Sequence, residues 1–237
     1  MFVLTIVHTP ASIRWAQEGR KSRRRLYPVT ALYTLVTVGA MTVALRSSPG
    51  HAAAAWFLGV AFWTFVEYTV HRFILHGVFP DGPGLRHALH LLFDHLHVEH
   101  HERPWDGNHI NGTIKDTAPF LFPAFLLALA LPPHTLLAFL CGLVQAYVAE
   151  EWVHHSVHFF HFDNPYFRYI RRHHLYHHSQ RGREVAFGLT SGAWDAVLDT
   201  RIPADVRAAL HGPVARRAAG RRAPFDATGL DPDRLRG

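Results

Sequence analysis

Cysteine is all but absent from this 237-residue chain, and lysine is nearly so. One thiol, Cys141, excludes an internal disulfide framework and the multi-thiolate ligand sets of structural zinc. Its place inside an apolar block assigns it to packing. Lysine stands only at positions 21 and 115, so the positive excess, a net +6, is carried by arginine. No nucleic-acid-binding motif accompanies those arginines, and they flank apolar stretches. Anionic lipid headgroups are therefore the expected partner of the positive charge, and nucleic acid is not. The first nine residues lack both a charged start and a small-residue cleavage site, so no secretory signal is expected.

Charge is missing most completely from four blocks: Pro28 to Leu45, Ala52 to Val66, Ala118 to Leu131 and His134 to Ala149. A helix that crosses the hydrocarbon core needs about 20 residues. The first block nearly has them, the second reaches them by running on toward Val70, and the last two fall short. Short apolar blocks also suit buried hairpins of a soluble protein. The arginine distribution favours the membrane. With Lys21 to Arg25 in the cytoplasm, two hairpins return the chain inside at Glu67 and again at Glu150, and the outer loops are nearly uncharged. The expected fold is all-α, an integral multi-pass membrane protein with about four transmembrane helices in two hairpins under a cytosolic helical cap. Residues 1–27 read as an N-terminal cytoplasmic segment, 28–200 as the membrane domain and 201–237 as a basic, peripheral C-terminal tail. Arginine in place of lysine points to a bacterial inner membrane.

Histidine is abundant. There are 21, and ten fall into four clusters: His71-x4-His76, His97-x2-His100-His101, His154-x3-His158 and His174-x2-His177-His178. The hairpin topology brings all four to one face. A structural zinc site closes with four ligands, so ten imidazoles point to two ions, each with about five nitrogens and an open position for a small molecule. Residues five apart on an ideal helix diverge by about 140°. His71 and His76 are therefore expected to serve two ions, or two sides of one site, and each triplet to line one helical stripe. His8, His51, His134 and His211 stand alone, whereas His87, His90, His95, His109, His155, His161 and His173 lie near enough to the clusters for an outer role. Glu67, Asp94, Glu99, Glu102, Glu150, Glu151 and Asp195 are candidates to orient ring N–H groups. Solvation, or pairing with a neighbouring arginine, is the simpler role for each.

In this order, between hydrophobic pairs, the clusters resemble the histidine boxes of the fatty acid hydroxylase superfamily, also called the sterol desaturase family, of membrane diiron oxygenases. The stretches that carry the likeness are Glu67-Tyr68-Thr-Val-His71-Arg72-Phe-Ile-Leu-His76, His97-Val-Glu-His100-His101, His154-His-Ser-Val-His158 and His173-His174-Leu-Tyr-His177-His178. Phe187-Gly188-Leu-Thr-Ser-Gly-Ala-Trp194-Asp195 looks like the segment after the last box in fatty acid 2-hydroxylases. The resemblance covers residues 56 to 200, most of the expected domain.

It implies ten metal ligands: His71, His76, His97, His100, His101, His154, His158, His174, His177 and His178. It implies two iron ions, although zinc fits the same cage in a purified sample. It implies dioxygen-dependent hydroxylation of a lipid C–H bond, most closely position 2 of a fatty acyl chain, on a substrate entering from the bilayer. Trp194 and Asp195 would lie close under the metal site, with Asp195 in an outer layer. Eukaryotic relatives often carry a fused cytochrome b5 domain, for which the 66 residues before the first box leave no room. An external donor, ferredoxin or cytochrome b5 with its reductase, is implied. Arg168, Arg171, Arg172, Arg181 and Arg183 form a basic strip suited to an acidic donor or to anionic lipid. Carotenoid and sterol hydroxylases or desaturases share similar boxes. From another class, a non-catalytic metal-binding or metal-transport membrane protein would need ionisable groups inside the spans, which hold almost none. A zinc hydrolase would keep carboxylate ligands, which these clusters lack.

Overall fold

The computed structural model describes residues 10–77, 82–89 and 95–211. All regular elements among them are helical: α1 (Pro10–Ser47), α2 (Pro49–Thr69) continuing into a π-helical turn (Val70–Leu75), α3 (Leu85–Leu89), α4 (His95–Glu102), α5 (Ile114–Ala130), α6 (Thr135–Phe159), α7 (Pro165–His177), α8 (Ala193–Val197) and α9 (Ala204–His211). Pro49 opens α2 from the first helical turn, where its missing N–H costs nothing. Thr113 and Asp116 close a capping box at the start of α5.

Three helices, over Arg14–Ser47, Pro49–Leu75 and Thr135–Phe159, are long and apolar enough to cross a membrane. The expected third block does not join them. With 17 residues, α5 is about 26 Å long and falls short of a hydrocarbon core of about 30 Å. The fourth block runs on past Ala149 to Phe159 and so carries His154 and His158 within the helix itself. The N-terminal segment is helical as well. α1 contains Pro28 and begins at Pro10, so the basic run Lys21 to Arg25 is helical. That end is tied down by Trp15 Nε1 donating to the Phe159 carbonyl at 3.2 Å and Gly107 N donating to Glu18 at 3.0 Å.

α6 lies against α1 and α2. It runs antiparallel to α1, as the ladder Thr37–Gln145, Thr30–Trp152 and Ser22–His155 requires. It runs parallel to α2, because Trp56 bonds Gln145 and Trp63 stacks edge-on against Tyr147. Glycine sets how closely those two backbones approach. A Cβ on Gly142 would lie 2.0 Å from the Trp56 carbonyl oxygen, and one on Gly59 would lie 2.1 Å from that of Phe139. Tyr33, Leu137, Cys141 and Val144 fill the interior, so the lone thiol is packing. Leu35, Phe57, Leu58, Leu126 and Leu127 point outward and are exposed.

Because α2 and α6 run in the same direction, both deliver their histidine-bearing ends to one end of the bundle, where α4, α7 and α8 meet them. α9 docks through Arg172, which donates to the Leu210 carbonyl at 2.6 Å. Part of the expected peripheral tail is therefore a docked helix. Residues 212–237 lie outside the described residues, as do His8, His90 and Asp94.

Candidate metal centre

The ten clustered histidines converge as two groups of five. The first is His71, His76, His97, His101 and His177, and the second is His100, His154, His158, His174 and His178. Within each group the five ligand atoms lie within 4.8 Å of one another. The groups are neighbours, with the His101 and His178 rings 4.4 Å apart.

Of the two spacing expectations, the first narrows to its second form, one site, and the second is corrected. His71 and His76 belong to one group, because the helix widens into a π turn between them. His76 N donates to the His71 carbonyl at 3.1 Å, an i+5 bond that places the two residues over one another. The triplets do not line single stripes. Successive residues are about 100° apart on a helix, so i+3 and i+4 point to opposite sides of a boundary. His97 and His101 serve the first group while His100 serves the second, and His174 and His178 serve the second while His177 serves the first.

Within a group, Nε2 atoms meet at contact distance: His76–His177 and His97–His76 at 2.9 Å, His101–His97 at 3.0 Å, His158–His174 at 2.9 Å, His178–His174 at 3.0 Å and His154–His100 at 3.1 Å. Two nitrogens each about 2.1 Å from one ion lie about 3.0 Å apart at a right angle and about 3.4 Å apart at the tetrahedral angle. The observed edges suit right-angled coordination by more than four ligands. His71 Nε2, buried and without a protein partner, completes the first group. The donor set therefore fits two metal ions.

Burial, reinforced by neighbouring rings, holds the imidazoles of His97, His100, His174 and His178 well below the usual histidine range. Burial and Arg183 bring His76 down to about 4, and burial and His76 bring His177 down to about 3. Neutral rings keep their lone pairs for a metal. The sign for stability follows. The unfolded chain takes up protons near pH 6.5 and the folded one does not, so stability falls as pH drops from about 6.5 toward 4. The metal-free protein is expected to melt at progressively lower temperature over that window and to show little slope from these groups above pH 7.5; a flat profile through pH 5 would contradict it.

Around the cages, Val185 to Thr190 runs as a hydrogen-bonded strip. The His71 Nδ1–H donates to the Phe187 carbonyl, and the His177 Nδ1–H donates to that of Val185 at 2.8 Å. Asp195 accepts from Phe187 N (2.8 Å), Gly188 N (3.0 Å), Thr200 Oγ1 (2.8 Å) and His173 Nε2 (3.1 Å). Glu67 accepts from Leu189 N (2.5 Å), Thr190 N (2.8 Å) and Thr190 Oγ1 (2.6 Å). Burial raises the Asp195 pKa, but His173 and the N–H and hydroxyl donors outweigh it and the carboxyl stays below its ordinary range.

The remaining candidates sort by contact. Glu67, Glu150, Glu151 and Asp195 are buried, so solvation is not their role. Glu99 pairs with Arg103, and Glu102 is exposed. His155 bonds Ser22 at 2.7 Å, and His109 lies 3.2 Å from Glu99. His51 and His87 are exposed, and His134 stands just before α6. Trp194 donates to Thr64 at 3.0 Å and packs on Phe65, so it docks α8 onto α2. The basic strip shrinks, since Arg172 is buried and Arg168 pairs with Asp163, while Arg181 and Arg183 are exposed.

A cavity of about 230 Å³ opens against both groups, touching His71 and His97 of the first and His100, His154 and His174 of the second. Its walls include Trp63, Tyr147, Asn111, Glu67, Glu150 and Glu151. Glu151 accepts from Asn111 at 2.7 Å and from Gly112 N at 3.2 Å. Glu150, also buried, makes no hydrogen bond among the described residues, and the buried Trp63 Nε1–H is likewise unpartnered. Trp63 and Asn111 were missed from sequence. Glu150 carried a readable signal. Glu67-x3-His71 and Glu150-x3-His154 repeat one spacing, an acid one turn ahead of a histidine at the ends of two parallel helices.

Two neighbouring five-imidazole cages at one end of membrane-length helices, with a cavity running up to both, define a helical protein suited to holding a pair of metal ions. The fatty acid hydroxylase family model matches residues 56–200, and the chain belongs to that family. It is 35% identical over 143 residues to a dihydroceramide fatty acyl 2-hydroxylase of Arabidopsis thaliana, covering 60% of this chain and 58% of that protein. It is 31% identical over 151 residues to the fatty acid 2-hydroxylase of Mus musculus, covering 62% and 39%. The chain thus spans less than two thirds of the length of these relatives. The solved structure of full-length scs7p, in which only the hydroxylase domain is visible, superposes with a TM-score of 0.65 at 28% identity, over 75% of this chain and 67% of that one.

Proposed function

We propose that this protein is a membrane-bound oxygenase that hydroxylates position 2 of a lipid acyl chain, with its ten clustered histidines holding two iron ions. The observation that carries the reading is the pair of five-histidine groups facing one cavity. Iron in such cages supplies, with dioxygen and an electron pair, an oxidant able to attack an unactivated C–H bond. One oxygen atom enters that bond and the other leaves as water with two protons. The chain's own residues do the rest. Imidazoles kept neutral by burial offer lone pairs, the 185–190 strip orients two of them, and the apolar helices α2 and α6 guide an acyl chain to the cages.

The cavity favours an acyl amide over a free fatty acid. Trp63 offers an unused donor for an amide carbonyl, and Glu150 lines the same cavity within reach of the amide N–H. The relatives named for dihydroceramide act on such an amide. By the positive-inside rule the cages lie on the cytoplasmic face, with α1 and α2 crossing as one hairpin and α5 and α6 entering from the same face as a second, shallower hairpin. Electrons come from an acidic carrier docking near Arg181 and Arg183, beside the partly exposed His76 and His101. Lipid mass spectrometry of cells with and without the protein tests the reading. One added oxygen is expected at position 2 of amide-linked acyl chains; acyl chains unchanged in a membrane that contains the iron-loaded protein would refute it.

A further inference from the structure

We propose that Glu67 and Asp195 are positioning residues that make the first histidine group the tighter of the two metal sites, acting through the backbone strip they hold between them. This rests on the reading of the two groups as metal sites.

The strip is held from both sides. Four consecutive backbone N–H groups, those of Phe187, Gly188, Leu189 and Thr190, donate in turn to Asp195 and then to Glu67. Asp195 comes from α8 and is fully buried, and Glu67 comes from α2 and is 4% exposed. A Cβ on Gly188 would lie 1.8 Å from the Ser191 carbonyl oxygen, so the backbone there cannot relax outward around a side chain. Ala186 takes a left-handed φ of 60°, strain that persists only where surrounding bonds fix it. Its N–H donates to the Thr200 carbonyl at 2.8 Å, and Thr200 in turn bonds Asp195.

The strip faces one group only. Its Val185 and Phe187 carbonyls accept the Nδ1–H of His177 and His71, both members of the first group. Such a bond fixes the tautomer, aims Nε2 at the metal and raises the basicity of the ring. In the second group the Nδ1 atoms of His100, His158, His174 and His178 are buried without a partner, whereas in the first group that is so of His101 alone among the described residues. Chemically similar cages thus differ in what stands behind the rings. Only the first has an oriented, electron-donating outer layer, and the two carboxylates are what hold that layer in place.

Loss of either carboxylate leaves buried N–H groups unsatisfied and frees the strip. The effect should reach the metal through His71 and His177, and only in their group. A purely architectural role for the strip would instead weaken both groups together. The test is anaerobic titration of the full-length, metal-free protein in detergent with ferrous iron, following two binding events. His178→Ala should retain the tight event and His177→Ala only the weak one. Asp195→Ala and Glu67→Ala, which remove every acceptor and are made separately on different helices so that one misfolded variant does not end the test, should each weaken the tight event about 10- to 100-fold and leave the weak event within about twofold. Equal weakening of both events, no change in either, or a tight event that survives His177→Ala would overturn the proposal. Two events of wild-type protein with unselective variants would leave the metal reading standing, whereas a wild-type protein that binds no iron would remove both.

Discussion

Replacing His177 by alanine is expected to lower the iron content from about two ions to about one per chain and to abolish hydroxylation, and His178→Ala to do the same through the other group. The two residues are adjacent on α7 yet serve different cages, because neighbours on a helix point about 100° apart. The loss of activity should exceed the roughly 10- to 100-fold typical of changes behind the ligands, since each substitution removes a nitrogen from the metal itself. α7 also has anchors apart from these rings. α7 is fixed by Asn164 accepting from Phe167 N at 2.9 Å and by the Arg172 bond to α9, neither of which involves the substituted rings. Metal analysis and product assay on the same samples check the outcome. Retained hydroxylation in either variant would show that the ring is not a ligand.

A second large effect is expected far from the metals. Gly142→Ala puts a methyl group where the Trp56 carbonyl oxygen now stands 2.0 Å away, and α2 and α6 must separate to admit it. Forcing volume into a close-packed contact costs about 1–3 kcal/mol. The consequence is larger here than for an ordinary core position, because these two helices carry His71 and His154 to the same end. The melting temperature in detergent should fall by several degrees, and Gly142→Leu should fail to accumulate. Gly39→Ala is the contrast. Nothing lies within 4 Å of a Cβ there, so α1 should gain up to about 1 kcal/mol from the better helix former. Equal behaviour of the two alanine variants would contradict the packing account.

Most of the site was legible because metal-ligand chemistry leaves a strong local signature. All ten clustered histidines meet in the two groups, and their convergence on one end of the bundle follows from two apolar helices running in the same direction. Cys141 as packing was also readable, from its surroundings alone. Other features were hidden for identifiable reasons. The pairing of His71 with His76 depends on a π turn, and helical periodicity counts 3.6 residues per turn where the chain here uses a wider one. The assignment of each triplet to two cages depends on where the boundary between them falls, which is a tertiary fact. Glu67 and Asp195 act on backbone N–H groups more than 100 and about 8 residues away, respectively; pairings of that kind leave no side-chain pattern. The shortness of the third block was readable too: α5 extends it only to 17 residues, between its capping box and the Pro132–Pro133 link. The arginine strip is narrower than expected for a simpler reason. Net charge does not say which guanidinium is buried, and Arg172 is.

The pair of five-histidine cages as the seat of oxygen insertion is tested most directly by a single-turnover experiment. Purified, iron-loaded protein is mixed with an acyl amide lipid, a reductant and dioxygen labelled with heavy oxygen, and the lipid is read by mass spectrometry. One labelled oxygen atom at position 2 of the acyl chain, lost in His177→Ala and His178→Ala alike, is the expected result. Unlabelled oxygen in the product, or no product from protein carrying both irons, would contradict it.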